Sequence, residues 1–561
     1  MKISHLKCIP LVGLAAAISL NAGAAVVEHK PTDQIIIKFS NAGVDGRSKA
    51  SYLSGRINKK LAFVRKTSQG SYVFKLPARE EFSSLKNYLK VLKAVSGIKH
   101  AEADQMMYAI GDIEIPPAEG TVGARQKPIY DLQWHYHEST GGMNADGAWA
   151  LLDLTTSAAV NVAVLDTGIT AHPDLDDHII GGTDMITATS VSNDGDGRDA
   201  DPSDPGDWIT KNECYFGSPA SNSSWHGTHV TGTISASTNN EMGVAGVGYN
   251  WLKVVPVRIL GKCGGYTSDI ADAIVWAATG VDNPNKAKVI NMSIGGGGSC
   301  SATYQNAIDT AVAAGTTVVV AAGNSNADAG NYTPSSCNNV ISVASTGRTG
   351  GKAYYSNYGD SVDLAAPGGE TNVGAKNGVL STLNEGTTSP VAPTYAYYQG
   401  TSMAAPHVAA AAGLLYRKKP NITPAEVEAV LTSTAREFPA KCAQCGTGIL
   451  DAGAALAALD GSTTPTVPDA PSNFTVQAGS GVVNLTWSDQ SDNETSFYIE
   501  RRREYPRAWT GFRSEVTTAA DATSHQDSVV GGTYQYRIRS QNSAGISAWV
   551  ISSEVTVTSG N

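Results

Sequence analysis

The sequence predicts an α/β fold with a doubly wound, mostly parallel sheet, preceded by a small α+β unit and followed by a β-sandwich. Over residues 129–460, short continuously apolar segments alternate with alanine-rich segments of helical periodicity. That alternation is typical of parallel strands covered by helices on both faces. After residue 471, apolar and polar residues alternate within short segments, which is typical of antiparallel strands.

The central region contains five predicted strands and three predicted helices. The strands are Val160–Leu165, Lys253–Leu260, Val289–Ser293, Thr317–Ala321 and Val340–Ala344, and the helices are Ile270–Thr279, Tyr304–Ala314 and Ala404–Tyr416. Ligands of such sheets bind beyond the carboxyl ends of the strands. Polar residues at strand ends are therefore the candidates for function.

The flanking regions read as separate units. Residues 25–124 contain two predicted strands and a helix, and residues 111–128 form a Pro- and Gly-rich linker open to cleavage. A Ser/Thr/Pro linker precedes the predicted β-sandwich. The predicted boundaries are 1–24, 25–124, 125–460, 461–470 and 471–561.

The N-terminus is typical of a secretory signal peptide. Lys2 and Lys7 precede the apolar run Ile9–Leu20 and the small residues Ala22–Ala24. That run is too short to span a bilayer, and no later segment is long and apolar enough. We therefore expect an exported, extracellular protein without a membrane span.

Six cysteines follow the predicted signal peptide, and an even number in an exported chain favours disulfides. The pairs predicted are Cys214–Cys263, Cys300–Cys337 and Cys442–Cys445. The last two cysteines also suit half of a zinc site, but no second pair or nearby histidine completes it.

The net charge of −10 argues against a nucleic-acid partner. Residues 26–124 carry 15 Lys and Arg against 10 Asp and Glu, whereas the chain from residue 125 carries 24 against 41. A basic unit followed by an acidic one suits two pieces that dock on each other, although surface solvation alone also permits this distribution.

Three polar residues suggest nucleophilic catalysis. Asp166 directly follows a predicted strand, and His226 lies in a Gly-rich segment where a helix begins. Ser402 lies at the N-terminus of a predicted alanine-rich helix. A hydroxyl nucleophile needs a base, and the base needs a carboxylate that fixes its tautomer. Taken singly, Asp166 is also compatible with capping a turn and Ser402 with capping a helix. His229 is an alternative to His226 as the base.

The stretches around these residues resemble those of the subtilisin-type serine endopeptidases. They are Val162–Gly168, His226–Val230 and Gly400–Val408, in the Asp–His–Ser order by which that family is known. The resemblance covers residues 130–460. It implies that Ser402 is the nucleophile, that His226 is the base and then the acid, and that Asp166 orients His226. Asn324 would bind the oxyanion together with the Ser402 backbone N–H.

The same resemblance implies how substrates and the N-terminal unit bind. The strand that pairs with the main chain of an extended substrate corresponds to Ser293, Ile294, Gly295 and Gly296. Residues 331–334 would border the first specificity pocket. Residues 25–124 occupy the place of an inhibitory prosegment that assists folding and is removed by the enzyme. We expect that cut between about Glu119 and Lys127, and we expect a monomer that acts on proteins or peptides.

A structural calcium site is also implied by the resemblance, with a solvated turn as the alternative. Its oxygen ligands would come from Gln133, Asp174, Thr238, Asn240, Met242 and Val244. Oxygen donors without Cys or His suit calcium.

The insertion between Asp166 and His226 predicts a second calcium ion. Its carboxylates would repel one another without a cation; they are Asp194, Asp196, Asp199 and Asp201. The loop is not an EF-hand, because the twelfth position counted from Asp194 is Pro205 and not glutamate. An acidic surface loop is the alternative.

The C-terminal region resembles a fibronectin type III module in its Leu-Thr-Trp487, Ile-Glu-Arg501 and Tyr536–Gly545 stretches. A binding protein led by this module is therefore the competing function. The intact Asp166, His226 and Ser402 argue against a catalytically dead scaffold, and a serine-carboxyl peptidase would need glutamate at position 226. The sequence predicts a secreted, calcium-stabilised serine endopeptidase.

Overall fold

The computed structural model of the chain describes residues 30–41, 43, 45–109, 121–123, 129–152, 159–460, 468–491, 493–505, 508–542 and 545–558. The predicted signal peptide at residues 1–24 lies outside the described residues. So does most of the predicted cleavage window between Glu119 and Lys127.

Seven parallel strands form the central sheet. In order across the sheet they are Leu364–Pro367, Ile341–Thr346, Thr317–Ala321, Val289–Met292, Val160–Asp166, Leu252–Arg258 and Thr183–Asp184. The five inner strands are the five predicted from the sequence. The two edge strands were not predicted, because four and two residues are too few to show a pattern.

Helices cover both faces of this sheet, as predicted. Val162 and Val164 pack in one core and Ala163 and Leu165 in the other, because successive side chains of a strand point to opposite faces. The first core includes the helices Ala145–Ala150, His226–Ser235, Thr401–Lys418, Pro424–Ser433 and Ala452–Ala458, and the second includes Thr267–Thr279 and Ala302–Ala313.

Shorter elements surround the sheet. The remaining strands of this region are Gly265–Tyr266, Ile294–Gly297, Tyr332–Thr333, Val379–Asn384 and Pro393–Tyr398, and Thr121–Gly123 pairs with the last of them. Short helices span Trp134–His137 and Thr189–Ser192, and 3-10 turns span Tyr130–Leu132, Asp176–His178, Ala329–Asn331, Thr371–Val373 and Ala375–Asn377.

The N-terminal unit is an antiparallel sheet packed against two helices. Its strand order is Ala62–Lys66, Tyr72–Glu80, Thr32–Phe39 and Ile98–Ala103, with helices Gly46–Ile57 and Phe82–Lys93. One apolar core, which includes Ile35 and Phe74, joins the sheet to the helices. A further strand, Met106–Ala109, leaves this unit and pairs with the central region.

The C-terminal region folds into two antiparallel sheets around Trp487, Phe497 and Tyr536, consistent with the predicted β-sandwich. One sheet contains Ser472–Ala478, Val482–Ser488 and Ser524–Ser528. The other contains Ser496–Tyr505, Ala508–Trp509, Arg513–Ala519, Gly532–Asn542, Gly545–Ile546, Val550–Ile551 and Val555–Val557. The likeness to a fibronectin type III module stays a prediction.

The structure contains the three expected disulfides, Cys214–Cys263, Cys300–Cys337 and Cys442–Cys445. The last pair is therefore not half of a zinc site. Among the described helices, none combines the length and the apolar character that crossing a bilayer requires.

Candidate active site

Asp166 and His226 meet at the carboxyl end of an inner strand. Asp166 is the last residue of its strand and His226 the first of its helix, and His226 Nδ1 lies 2.7 Å from Asp166 Oδ1. Both side chains are buried. A carboxylate bound at Nδ1 fixes the ring and its tautomer, so that Nε2 becomes the atom that exchanges protons during a reaction.

The start of the His226 helix is held by a second carboxylate. The His226 backbone N–H donates to Ser224 Oγ at 3.3 Å, and the Ser224 hydroxyl and backbone N–H donate to Asp207 at 2.8 and 2.6 Å. Burial raises the pKa of Asp207. Asp207 was not predicted from the sequence, because nothing in its local pattern distinguishes it from the other carboxylates of the insertion.

Ser402 lies in the first turn of the helix Thr401–Lys418. Its hydroxyl donates to the Ser293 carbonyl at 3.1 Å, and the Ser293 hydroxyl donates to the Ser402 carbonyl at 2.8 Å. Gly400 precedes the helix at φ 153°, a conformation that other residues rarely adopt. This helix packs against the helix His226–Ser235, so Ser402 and His226 occupy the N-terminal ends of two packed helices.

Asn324 follows the strand Thr317–Ala321 and is oriented by Thr401. Its Oδ1 accepts hydrogen bonds from the Thr401 backbone N–H at 2.9 Å and from the Thr401 hydroxyl at 2.8 Å. Because the amide oxygen is bound in this way, the amide nitrogen is the end that can serve an oxyanion. Thr401 was not predicted as a site residue; its role follows from a contact across 77 positions of the chain.

A cleft runs past these residues, and the strand Met106–Ala109 lies in it. The strand pairs antiparallel with Ile294–Gly297, with Ala109 opposite Ile294 and Tyr108 opposite Gly295, and on its other side with Gly265–Tyr266. The predicted residues Ile294, Gly295 and Gly296 therefore line a groove that holds an extended segment.

Glycine is required at position 264, where this strand passes closest. A Cβ atom at Gly264 would lie 2.1 Å from the Met107 carbonyl oxygen, so a side chain there would displace the extended segment. A Cβ atom at Gly296 would lie 2.9 Å from the Met107 sulfur, the end of a flexible side chain that can move. Gly264 thus allows main-chain pairing on its side of the segment.

A pocket of about 190 Å³ opens from the groove beside Asn324. It is lined by Tyr108, Ala109, Gly295, Gly296, Ala321, Ala322, Gly323, Asn324, Ser325, Tyr332, Thr333 and Ser335. Tyr332 and Thr333 form a short strand within residues 331–334, which were expected to border the first specificity pocket.

The N-terminal unit docks on the helix Thr267–Thr279 through charged groups. Arg65 donates to Asp269 and Asp272, each at 2.6 Å, and Asp104 accepts from the Ser268 backbone N–H at 2.8 Å. A carboxylate at a helix N-terminus is favourable because it faces unpaired N–H groups and the positive end of the helix dipole. The basic unit thus pairs with acidic residues of the larger domain.

His229 has a structural role. Its Nε2 lies 3.0 Å from the Ala396 carbonyl, its ring stacks on Tyr398 at 4.6 Å, and burial lowers its pKa to about 3. A ring that stays neutral at pH 7 and contacts a carbonyl is held in one orientation. Of the two candidate histidines, His226 is the one paired with Asp166.

The residues predicted to bind calcium lie around Asp174. The buried Asp174 carboxylate accepts hydrogen bonds from the Asn240 amide at 2.6 Å and the Val244 backbone N–H at 3.0 Å. Burial raises the pKa of Asp174 to about 6. Thr238 and Met242 belong to the same loop and Gln133 bonds to the Ala245 backbone beside it.

The residue types around Asp174 are compatible with calcium, which stays a prediction. No Lys or Arg among the described residues forms an ion pair with Asp174. The groups that contact its carboxylate are the Asn240 amide and the Val244 backbone N–H, which partly compensate its charge. The oxygens of Thr238, Asn240, Met242 and Val244 are hard ligands of the kind that calcium prefers.

The four carboxylates of the predicted second calcium site do not converge. Asp194 forms an ion pair with the buried Arg258, and Asp199 and Asp201 accept hydrogen bonds from nearby backbone N–H groups. Within the described residues, no group of three carboxylates with ligand atoms inside 4.8 Å lies between Asp194 and Asp201. Of the four carboxylates, Arg258 pairs with Asp194 alone, and the second calcium ion stays a prediction.

Comparisons with known proteins place these features in context. Residues 157–465 match the model of the subtilase family. The chain is 42% identical over 475 residues to an extracellular protease of Xanthomonas campestris pv. campestris, covering 80% of this chain and 78% of the relative. It is 37% identical over 513 residues to an extracellular basic protease of Dichelobacter nodosus, covering 86% and 81%.

Solved structures agree with the sequence matches. A protease of Pseudoalteromonas arctica superimposes with a TM-score of 0.57 at 58% identity, covering 59% of this chain and 97% of that chain. Fervidolysin of Fervidobacterium pennivorans, at 20% identity, covers 95% of this chain and 78% of that chain with a TM-score of 0.54, and this likeness concerns the fold alone.

Proposed function

The chain belongs to the subtilase family and is a subtilisin-like serine endopeptidase, and we propose that it is a secreted enzyme that cleaves extended protein substrates with Asp166, His226 and Ser402. The observation that carries the proposal is the 2.7 Å contact between Asp166 and His226 beside the helix whose first turn contains Ser402. The relatives' description as extracellular proteases and the N-terminal sequence pattern support export.

The proposed reaction proceeds through an acyl-enzyme. Ser402 Oγ attacks the scissile carbonyl while His226 Nε2 takes the hydroxyl proton, and His226 then gives this proton to the leaving amine. Water repeats the sequence to release the acid. Asp166 keeps the ring oriented and stabilises the imidazolium, and Asn324 with the Ser402 backbone N–H stabilises the tetrahedral oxyanion.

The groove around Ile294–Gly297 supports substrates that bind as an added strand. The segment Met106–Ala109 uses main-chain hydrogen bonds on both sides, a mode that places few demands on side chains. Side-chain preference would then come from pockets such as the one beside Asn324. We propose proteins and peptides with exposed, extended segments as substrates.

Residues 25–124 are proposed as an inhibitory prosegment within a monomeric precursor. The strand Met106–Ala109 occupies the groove that a substrate needs, and Arg65 anchors the unit on the neighbouring helix. Ala109 lies opposite Ile294, the residue after Ser293, whose hydroxyl bonds to Ser402. This register favours a first cut shortly after Ala109, N-terminal to the window predicted from linker composition.

The other proposed parts complete the domain organisation. Residues 125–460 form the catalytic domain, and residues 471–561 a fibronectin type III-like module joined by the linker 461–470. Calcium would bind at Asp174 with oxygens of the loop 238–244 and hold that loop to the catalytic domain. This ion would be structural and takes no part in the reaction.

Processing of the precursor tests the proposal. Wild-type protein is expected to lose the prosegment during expression, whereas Ser402→Ala is expected to keep it, because the cut requires the nucleophile. Intact-mass spectrometry of both proteins gives the answer and locates the new N-terminus. Ser433→Ala, an exposed serine of the same domain, is the matched control and should process normally. Equal loss of the segment in wild type and Ser402→Ala would show that another protease makes the cut.

A further inference from the structure

Three carboxylates that are distant in sequence meet at one end of the C-terminal sandwich. Asp489 and Glu494 belong to the loop between the strands Val482–Ser488 and Ser496–Tyr505, and Asp521 belongs to a turn before Ser524. One ligand oxygen from each side chain lies within 4.8 Å of the others. The loop and the turn thus place three acidic side chains close to one another.

Glu494 is the buried member of this group, with 6% of its surface exposed. Its Oε1 accepts a hydrogen bond from the Asp521 backbone N–H at 3.0 Å, but its Oε2 is buried and, among the described residues, has no hydrogen-bond partner. A buried carboxylate oxygen without a donor is costly, and folded proteins rarely leave one unpaired. A cation, or a hydrogen-bond donor other than the described residues, is therefore expected at this position.

No basic side chain of the described residues supplies a counter-charge to these carboxylates. Two arginines of the module are paired elsewhere, Arg501 with Asp527 and Arg537 with Glu500. The three carboxylates form no ion pair with Lys, Arg or His in the described part of the chain. Three like charges this close repel one another unless a cation or protons intervene.

We propose that Asp489, Glu494 and Asp521 bind a calcium ion, in a site separate from that at Asp174. The set contains only hard oxygen ligands and neither His nor Cys, which selects calcium over zinc and copper. Calcium takes six to eight oxygens, and water or backbone carbonyls complete the shell. The ion supplies Glu494 with the counter-charge that the protein does not provide.

The position of the site gives the ion a role at the domain junction. Ser491, inside the same loop, accepts a hydrogen bond from the Asp469 backbone N–H at 2.6 Å, and Ser540 donates to the Asp469 carbonyl at 2.7 Å. Asp469 lies near the C-terminal end of the proposed linker 461–470. A cation that fixes the loop 489–494 therefore also fixes the point where the linker enters the module.

Hydrogen–deuterium exchange of the full-length chain tests this site. A Ser402→Ala background prevents self-digestion, and the readout does not depend on activity. Exchange is measured in EDTA and in about 1 mM calcium, within the affinity range of extracellular modules. At a calcium concentration about ten times the Kd, peptides covering 489–495 and 519–523 are expected to exchange about tenfold more slowly than in EDTA.

Matched variants locate the effect. Glu494→Gln and Asp521→Asn are expected to abolish the protection, and the exposed Glu554→Gln in the same module is expected to keep it. Asp521 is exposed, so its variant should fold even if Glu494→Gln does not. Asp174→Asn should alter exchange only around 238–244. Exchange that is the same in EDTA and calcium, or protection that survives both Glu494→Gln and Asp521→Asn, overturns the proposal.

Discussion

Replacing Ser402 with alanine is expected to lower kcat for peptide hydrolysis by about 10⁶-fold, the loss known for the nucleophile of subtilisin itself. The variant keeps the groove and the Asn324 amide but has no group that can form the acyl-enzyme. Substrate binding should change little, because Ile294–Gly297 and the adjoining pocket do not involve the Ser402 hydroxyl. The loss should therefore appear in kcat and not in KM.

The measurement requires prosegment-free protein, since Ser402→Ala is not expected to process itself. Affinity-tagged wild-type enzyme can remove the segment in trans and then be withdrawn, and the Ser433→Ala variant taken through the same procedure sets the reference rate. An active-site titration of residual wild-type enzyme fixes the background. Turnover by Ser402→Ala within about a hundredfold of that reference would exclude Ser402 as the nucleophile, since triad loss costs far more.

The second large effect is expected for Asp166→Asn, which should lower kcat by about 10⁴-fold. The carboxylate accepts from His226 Nδ1 at 2.7 Å, whereas an amide can present its N–H₂ group to the ring instead. The ring would then carry its proton on Nε2, where it must accept one from Ser402. The fold should persist because the two side chains have nearly the same shape.

Asp207→Asn is the matched comparison for this variant. Asp207 accepts hydrogen bonds from Ser224, and Ser224 Oγ accepts one from the His226 backbone N–H, so the loss of Asp207 should lower kcat far less than the loss of Asp166. Circular dichroism of both variants checks the fold, and the dependence of kcat on pH reports the pKa of the catalytic base. Activity of Asp166→Asn within about tenfold of wild type would contradict the assigned role of Asp166.

Local sequence was sufficient to predict the residues that we propose as the triad but not the contacts that support them. Asp166, His226 and Ser402 each lie in a short contiguous stretch at a strand end or a helix start, so a linear pattern can reveal them. Asp207 and Thr401 act through hydrogen bonds between segments distant in the chain. Such partners depend on how loops pack, which no local pattern encodes.

Charge composition was a weaker guide than the triad motifs. The carboxylates between Asp194 and Asp201 predicted a second calcium ion, but Arg258 reaches this loop from a neighbouring strand and pairs with Asp194. The group of Asp489, Glu494 and Asp521 was not predicted, because its members are up to 32 positions apart in sequence. In both places, tertiary contacts decide whether a carboxylate is compensated.

The cleavage window stays a prediction. The composition of the linker 111–128, with Pro116, Pro117, Gly120 and Gly123, predicted a cut between about Glu119 and Lys127. The strand Met106–Ala109 pairs with Ile294–Gly297, and from this register we propose a first cut shortly after Ala109. Composition can predict that a linker is exposed. Which peptide bond reaches the nucleophile depends on how the segment pairs in the folded groove.

Covalent labelling by a serine-directed phosphonate tests the central claim most directly. The processed wild-type protein should gain one phosphonyl group, and tryptic mass spectrometry should place it on Ser402. His226→Ala should label far more slowly, because the hydroxyl then has no base. Absence of labelling in processed protein, or a label that maps to another residue, would contradict the assignment of Ser402 as the nucleophile.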